Sequence, residues 1–194
     1  MKKAVLTRAD VTSYALSQGM LTMAQSMLTV YFTMFMTDYL KIPALMIGTA
    51  MLVVKTIDFL INLCAGPIVE KTNMKHGKYV SWIRILRFTL FAGLIILMSD
   101  TTWLVKSPLI RILIVCVGYC LFHGSMDFNV TVRGALVPKM AGANMEDRRR
   151  LTTRQVQVGA ATSIIASAIT LPIITWFAPY FGESAGYTIT TAIY

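Results

Sequence analysis

Two stretches of the chain, residues 11–37 and 155–182, contain no charged side chain, and this feature limits the possible folds more than any other. A helix needs about 20 consecutive apolar residues to cross the hydrocarbon core of a bilayer, so each stretch is long enough to span it. The composition agrees, because 56% of the 194 residues are apolar and only 14% are charged. These values exclude an ordinary soluble domain and indicate an integral membrane protein.

The other apolar segments are interrupted by a few charges or are short. Turn-forming residues such as Pro43, Gly77 and Pro108 bracket the interrupted segments, which are therefore also interpreted as spans. The last segment, 184–194, holds eleven uncharged residues, about half a crossing. We expect the chain to stop within a sixth helix, and the alternative is a segment that lies at the membrane interface. The sequence thus predicts an all-α, polytopic membrane protein with helices at approximately 13–40, 43–68, 80–99, 108–138, 154–180 and 184–194.

Lysine and arginine residues are distributed unequally between the connecting segments. The side that contains the N-terminus carries Lys2, Lys3, Arg8, Lys71, Lys75, Lys78, Lys139, Arg148, Arg149 and Arg150. The opposite side carries Lys41 and Lys106, with Arg111 just inside a helix. The positive-inside rule therefore predicts a multi-pass protein of the inner (plasma) membrane with a cytoplasmic N-terminus, in which residues 141–150 form a solvated connector. The net charge of +9 follows from topology, and no nucleic-acid partner is expected.

Helix 2 carries a polar group in the middle of a predicted span. Lys55, Asp58 and Asn62 are spaced i, i+3 and i+7, which places them on one helix face. An unpaired charge at the bilayer centre costs at least ~2.5 kcal/mol, so this face must contact protein or a wet cavity. The Lys55–Asp58 pair could simply neutralise itself. We favour a cation or proton site in which Asp58 coordinates or titrates, because a pair without a task could be replaced by apolar residues at little cost.

Helices 1, 4 and 5 supply further candidates. His123 and Asp127 lie one turn apart on helix 4, where the histidine either bonds a neighbouring carbonyl or moves protons. Arg133 is on another face of that helix and is expected to pair near the cytoplasmic end. Arg154 opens helix 5 as either a membrane-surface anchor or a site residue. Thr22 belongs to a polar stripe on helix 1 that suits helix packing or a hydrogen-bonding wall for a solute.

The arrangement of several short motifs resembles one transporter family. The motifs are Thr37-Asp38, Gly48-Thr49, Asp58, Asn62, Gly66, Thr72, Gly77-Lys78, Trp82, Ser125-Met126-Asp127 and Leu136-Val137-Pro138. Together they resemble the melibiose permease-like glycoside-pentoside-hexuronide:cation symporters of the major facilitator superfamily. The resemblance covers nearly the whole chain. It implies a fold of two six-helix halves with the solute between them, of which this chain would be the N-terminal half, truncated within helix 6.

The resemblance also implies roles for individual residues. Asp58 matches a cation ligand, Asn62 stands where the family has a second aspartate, and Lys55 accompanies them. Asp127 matches a sugar-binding aspartate, Arg154 a helix 5 arginine of the same site, and Thr22 the position of a helix 1 sugar ligand. His123 is added as a substrate-site residue. The segment from Glu70 to Lys78 resembles a cytoplasmic gate, with Gly66, Glu70, Gly77 and Lys78 as its residues.

These observations favour a secondary active transporter, or its N-terminal half, that moves a small polar solute in symport with H⁺ or Na⁺. A sugar or glycoside is the expected solute. Proton coupling is favoured because Na⁺ prefers several oxygen ligands, whereas helix 2 offers one carboxylate and one amide. Two alternatives remain at this point: a non-transporting membrane assembly subunit, and a carrier of lysolipids or other amphiphiles on the same fold.

No enzymatic activity and no cofactor other than the coupling ion are expected. The three cysteines, Cys64, Cys116 and Cys120, lie in apolar segments without metal-ligand spacing, so no metal site or disulfide framework is predicted. The expected partners are membrane lipid, the solute and a C-terminal half.

Overall fold

The computed structural model describes residues 6–74 and 77–194, and these residues are helical with short connections and no strand. The helices are α1 (Arg8–Met34), α2 (Ala44–Lys71), α3 (Lys78–Leu97), α4 (Pro108–Ala141), α5 (Met145–Phe181) and α6 (Glu183–Ile193). A π-helical turn, Phe35–Tyr39, continues α1. Lys2, Lys3 and Lys75, which belong to the charge count above, lie outside the described residues. The all-α fold class is confirmed.

Four of the described helices, α2 to α5, are long and apolar enough to cross a membrane. Helix α1 has 27 residues, which at 1.5 Å per residue is also sufficient length. Its most apolar stretch is less hydrophobic than those of the other four because polar residues such as Gln18, Thr22 and Gln25 interrupt it. The membrane crossing of α1 therefore stays a prediction.

Helix α5 begins at Met145, well before the expected start at residue 154. The Asn144 side chain caps this helix, because its Oδ1 accepts hydrogen bonds from the backbone N–H groups of Glu146 (3.1 Å) and Asp147 (3.4 Å). Both acidic residues lie in the first turn, where the helix dipole favours negative charge. Asp147 is fully buried. The interpretation of residues 141–150 as a solvated connector is therefore wrong from Met145 onward.

The helices pack in two groups that meet mainly where α4 contacts α5 and α3 contacts α6. Helix α4 packs against both α2 and α3, while α1 packs against α5, and α6 packs beside α5. Arg133 of α4 joins the groups, because its Nη1 donates to Ser17 Oγ of α1 (2.8 Å). Its Nε donates to Asn129 Oδ1 of the same helix (2.5 Å). Both of these partners are neutral side chains, and the expected pairing of Arg133 near the cytoplasmic end stays a prediction.

The closest helix contact is between α3 and α4, and it requires glycine. A Cβ atom on Gly93 would lie 2.6 Å from the backbone N of Phe122, and one on Gly118 would lie 3.0 Å from the backbone N of Leu97. The two backbones therefore touch without intervening side chains. One turn from Gly93, the hydroxyls of Thr89 and Ser125 are hydrogen-bonded at 2.6 Å.

Candidate functional site

The interface between α2 and α4 brings the polar residues of both helices together. Lys55 Nζ lies 3.5 Å from Asp58 Oδ2 on its own helix and 5.0 Å from the centre of the Tyr119 ring on α4. One turn along α4, His123 lies within electrostatic range of both Lys55 and Asp58. The predicted cation residues of α2 and the predicted substrate residues of α4 thus line one continuous polar column.

Two carboxylates of this column approach each other. Asp127 interacts with both Asn62 and Asp58 across the interface. The buried Oδ1 of Asp58 and the buried Oδ2 of Asp127 have no hydrogen-bond partner among the described residues. A buried acceptor without a partner is costly, so these oxygens are suited to take a proton, a metal cation or a hydroxyl donor. The described residues contain no group of three or more His, Cys, Asp or Glu side chains placed to hold a metal ion.

Tyr119 is a member of this column that sequence reasoning missed. Its ring stacks on the His123 ring with centroids 4.0 Å apart and an interplanar angle of 17°. On the other side it contacts Phe32 of α1, with centroids 5.9 Å apart. An aromatic residue within an apolar run gives no sequence signal for such a role, and only the position of Lys55 over the ring reveals it.

His123 is held by aromatic contacts rather than by a charge partner. Besides stacking on Tyr119, it meets the Phe122 ring edge-on, with centroids 5.4 Å apart. The two sequence hypotheses for His123 were a hydrogen bond to a carbonyl and a part in proton movement. Its place beside Asp58 keeps the second one available.

Thr22 and Arg154 lie on the α1–α5 side of the molecule. Thr22 Oγ1 donates to the Gln18 carbonyl (3.1 Å), and it lies 3.5 Å from where a Cβ on Gly159 would be. Arg154 is exposed and donates to Gln157 Oε1 (3.1 Å). Among the described residues no hydrogen bond joins Thr22 or Arg154 to Asp127. The structure thus brings together the α2 and α4 candidates and leaves these two apart from them.

Two of the predicted gate residues, Glu70 and Lys78, meet at the end of α2. Lys78 Nζ lies 2.8 Å from Glu70 Oε2 and also donates to the Glu70 backbone carbonyl. The Tyr79 hydroxyl donates to Glu70 Oε1 (3.1 Å). Gly77 has a φ of +90°, which residues other than glycine rarely adopt. A Cβ on Gly66 would meet nothing within 4 Å. Among the residues that the structure describes, the Glu70–Lys78 ion pair therefore links the end of α2 to the start of α3.

The family model described as "MFS/sugar transport protein" matches residues 13–194. The chain belongs to this family. The fold class and the resemblance drawn from the sequence are therefore confirmed, and the matched family is one of transporters, not of enzymes. The four apolar helices agree with a multi-pass membrane protein.

Two curated relatives are similar to the chain over parts of their length. It is 24% identical over 168 residues to the isoprimeverose transporter of Lactiplantibacillus pentosus, which covers 85% of this chain and 34% of the relative. It is 28% identical over 83 residues to the inner membrane symporter YicJ of Escherichia coli (strain K12), which covers 43% of this chain and 18% of the relative. The matches thus span about a third or less of the length of these relatives. No solved structure matches the chain.

Proposed function

We propose that the chain is the N-terminal half of a secondary active transporter that moves a sugar or glycoside in symport with a cation. The observation that carries the proposal is the pair of carboxylates, Asp58 and Asp127, that face each other between α2 and α4 with an unpartnered buried oxygen each. A C-terminal half would complete the solute site. The names of the two relatives, a transporter of isoprimeverose and a symporter, support the same class of activity.

Charge balance supports cation coupling at this pair. The two carboxylates and the Lys55 ammonium leave one excess negative charge in the column when all three are ionised. One bound cation removes that excess, and a neutral column moves through a low-dielectric environment at lower cost than a charged one. A bound cation therefore favours the change of state that carries the solute across, which is the requirement for symport.

A proton is the favoured coupling ion. Asn62 is the amide beside Asp127, and it supplies one oxygen where a second carboxylate would supply two. Na⁺ would have to draw its oxygen ligands from Asp58, Asp127 and this amide. A proton needs only the two facing carboxylate oxygens, and the nearby His123 and Tyr119 can relay it.

The solute is proposed to contact Asp127 from the other side. An ionised carboxylate accepts hydrogen bonds and donates none, so it suits ligands rich in hydroxyl groups. Thr22 on α1 and His123 on α4 are the proposed neutral walls of this site. Arg154 is the weakest member of the predicted set, because it lines a separate cavity.

The proposed orientation places the N-terminus in the cytoplasm of an inner-membrane protein. Of the described basic residues, those at the N-terminal ends of α1 and α5 and around the α2–α3 connection share one side of the helices. The Glu70–Lys78 pair lies on that side. We therefore assign it to the cytoplasmic gate, where an ion pair can break and re-form as the two halves of a transporter rock.

Two substitutions, Asp58→Asn and Asp127→Asn, test the proposal in the protein expressed from its complete reading frame. Glu146→Gln, at the exposed start of α5, is the control, because it also removes one negative charge. Asp58→Asn should abolish uphill accumulation and leave some downhill exchange, because the cation loses its charge partner. Asp127→Asn should weaken sugar binding, measured by calorimetry at fixed pH and Na⁺, by roughly ten- to a hundredfold.

Glu146→Gln should accumulate solute as the wild type does. Wild-type uphill uptake by Asp58→Asn at equal expression would remove Asp58 from the mechanism. Unchanged affinity of Asp127→Asn for every sugar that the wild type binds would remove the α4 site. A pH dependence of uptake without a Na⁺ dependence identifies the proton as the coupling ion, and the reverse result identifies Na⁺.

A further inference from the structure

A cavity of about 500 Å³ lies between the N-terminal parts of α1 and α5, apart from the polar column between α2 and α4. Neutral polar side chains such as Thr12, Thr153 and Gln157 line part of it. The rest of its polar lining is four arginines: Arg8, Arg149, Arg150 and Arg154. No carboxylate of a described residue is part of its lining. A cavity lined in this way concentrates positive charge and selects an anion.

The four guanidinium groups are not equally occupied. Arg149 Nη2 lies 3.2 Å from Glu146 Oε1, and Arg150 Nη1 lies 3.3 Å from Asp147 Oδ1. Arg8 and Arg154 have no acidic partner among the described residues, and the one side-chain bond of Arg154 goes to a neutral amide. These two arginines, one on each helix, are therefore the groups that are free to hold an anion between them.

The depth of the cavity indicates which anion reaches it. The uncharged stretches of α1 and α5 begin at residues 11 and 155, so the cavity lies at the boundary where each helix enters the apolar layer. Lipid headgroups occupy this depth. Above the cavity, Ile164 lies seven residues beyond Gln157 on the same face of α5 and is 72% exposed, which provides an apolar surface beside which an acyl chain can lie.

We propose that this cavity binds the phosphodiester headgroup of an anionic phospholipid, held by Arg8 and Arg154. Thr153 also lines the cavity and its hydroxyl can donate a further hydrogen bond to a phosphate oxygen, whereas the Thr12 hydroxyl already donates to the Arg8 carbonyl (2.8 Å). Arginine suits this task because its planar guanidinium donates two parallel hydrogen bonds to a phosphate. The lipid bridges α1 and α5, so its binding stabilises the contact between these helices. This inference does not depend on the coupling ion or on the solute, and it assigns Arg154 to lipid rather than to sugar.

The test uses the protein from its complete reading frame in mild detergent, and measures the Tm as lipid is titrated. The probes are phosphatidylglycerol, phosphatidylcholine and inorganic phosphate. The variants are Arg8→Gln/Arg154→Gln and, as a control, Lys71→Gln/Lys139→Gln, which removes two exposed cations outside the cavity. Arg8→Lys/Arg154→Lys keeps the charge and loses the paired donors.

Phosphatidylglycerol should raise the Tm of the wild type and of the control, and phosphatidylcholine and phosphate at equal concentration should not. One basic residue near an anionic lipid surface strengthens binding about fivefold, so Arg8→Gln/Arg154→Gln should weaken the apparent affinity roughly 25-fold. The lysine variant should retain a part of the affinity that the glutamine variant loses.

Three results would overturn the proposal. Equal stabilisation by inorganic phosphate would show a site for free anions. An equal loss in Lys71→Gln/Lys139→Gln would show diffuse attraction to charge without a defined cavity. A lower Tm of Arg8→Gln/Arg154→Gln than of the control in lipid-free detergent would show that the two arginines pair with a protein carboxylate. Every readout is a change in Tm of the purified variant, so none of them requires transport activity.

Discussion

Replacing Gly93 by alanine should separate α3 from α4 and destabilise the fold. The new Cβ would lie 2.6 Å from the backbone N of Phe122, about 0.8 Å inside ordinary contact, and a backbone atom cannot rotate away as a side chain can. The helices must move apart, and overpacking of this kind costs about 1–3 kcal/mol.

Gly134→Ala is the matched control, because it lies within α4 and its Cβ would meet nothing within 4 Å. Both substitutions gain the same helix propensity, up to about 1 kcal/mol, so the difference between the two variants isolates the packing cost. For a chain of this size 1 kcal/mol corresponds to about 2–4 °C in Tm, so Gly93→Ala should melt roughly 5 °C below Gly134→Ala.

The assay is thermal unfolding in detergent, followed by solute uptake in membranes. Uptake should fall as well, because the displaced α3 weakens the hydrogen bond between Thr89 of α3 and Ser125 of α4. Ser125 lies two residues before Asp127. If Gly93→Ala and Gly134→Ala melt at the same temperature, the backbone contact between α3 and α4 does not limit the stability of this fold.

Two further predictions concern the connections. Glu70→Gln should change the Tm little, because an exposed ion pair contributes under about 1 kcal/mol. It should speed proteolytic cleavage between α2 and α3, because Lys78 loses its charged partner. An unchanged cleavage rate would argue that this ion pair does not protect the connection. In the α3–α4 connection, burial alone would raise the pKa of Asp100, but hydrogen bonds from the Thr102 N–H and hydroxyl, together with Ser184 and the Arg111 charge, lower the pKa below its ordinary value. Asp100 therefore stabilises the fold above its unfolded-state pKa and loses this contribution as the pH falls through the lowered value. Asp100→Asn should therefore show a smaller decline in Tm between pH 5 and pH 3 than the wild type. An equal decline in both proteins would contradict the assignment.

The periodicity of charge within apolar runs predicts one polar face on α2 and one on α4. A charge in a span has few places to go, so the spacing of Lys55, Asp58 and Asn62 on one helix and of His123 and Asp127 on the other already indicates two polar faces. The sequence could not show that these faces meet at successive turns, because that depends on the axial offset between α2 and α4. Tyr119 escaped for the same reason.

The start of α5 was missed although its signal is present in the sequence. Asn144 followed by Glu146 and Asp147 is a typical helix start, since the cap accepts from the first turn and the acids favour the dipole. The dense charge of residues 146–150 was interpreted as a solvated connector instead. Burial of Asp147 depends on the chain preceding α1, whose Leu6 N–H approaches its Oδ2 at 3.5 Å, and contacts between such distant residues leave no local pattern.

The contact between Leu6 and Asp147 also bears on the order in which the chain assembles. These residues are 141 positions apart, and α1 packs mainly on α5, so α1 leaves the ribosome long before its partner exists. Until then α1, whose apolar run is interrupted by polar residues, lacks the helix that provides most of its packing surface. Its final placement must therefore wait for α5, and mutations that weaken the α1–α5 contact should appear first as inefficient membrane insertion during synthesis rather than as a defect of the finished protein.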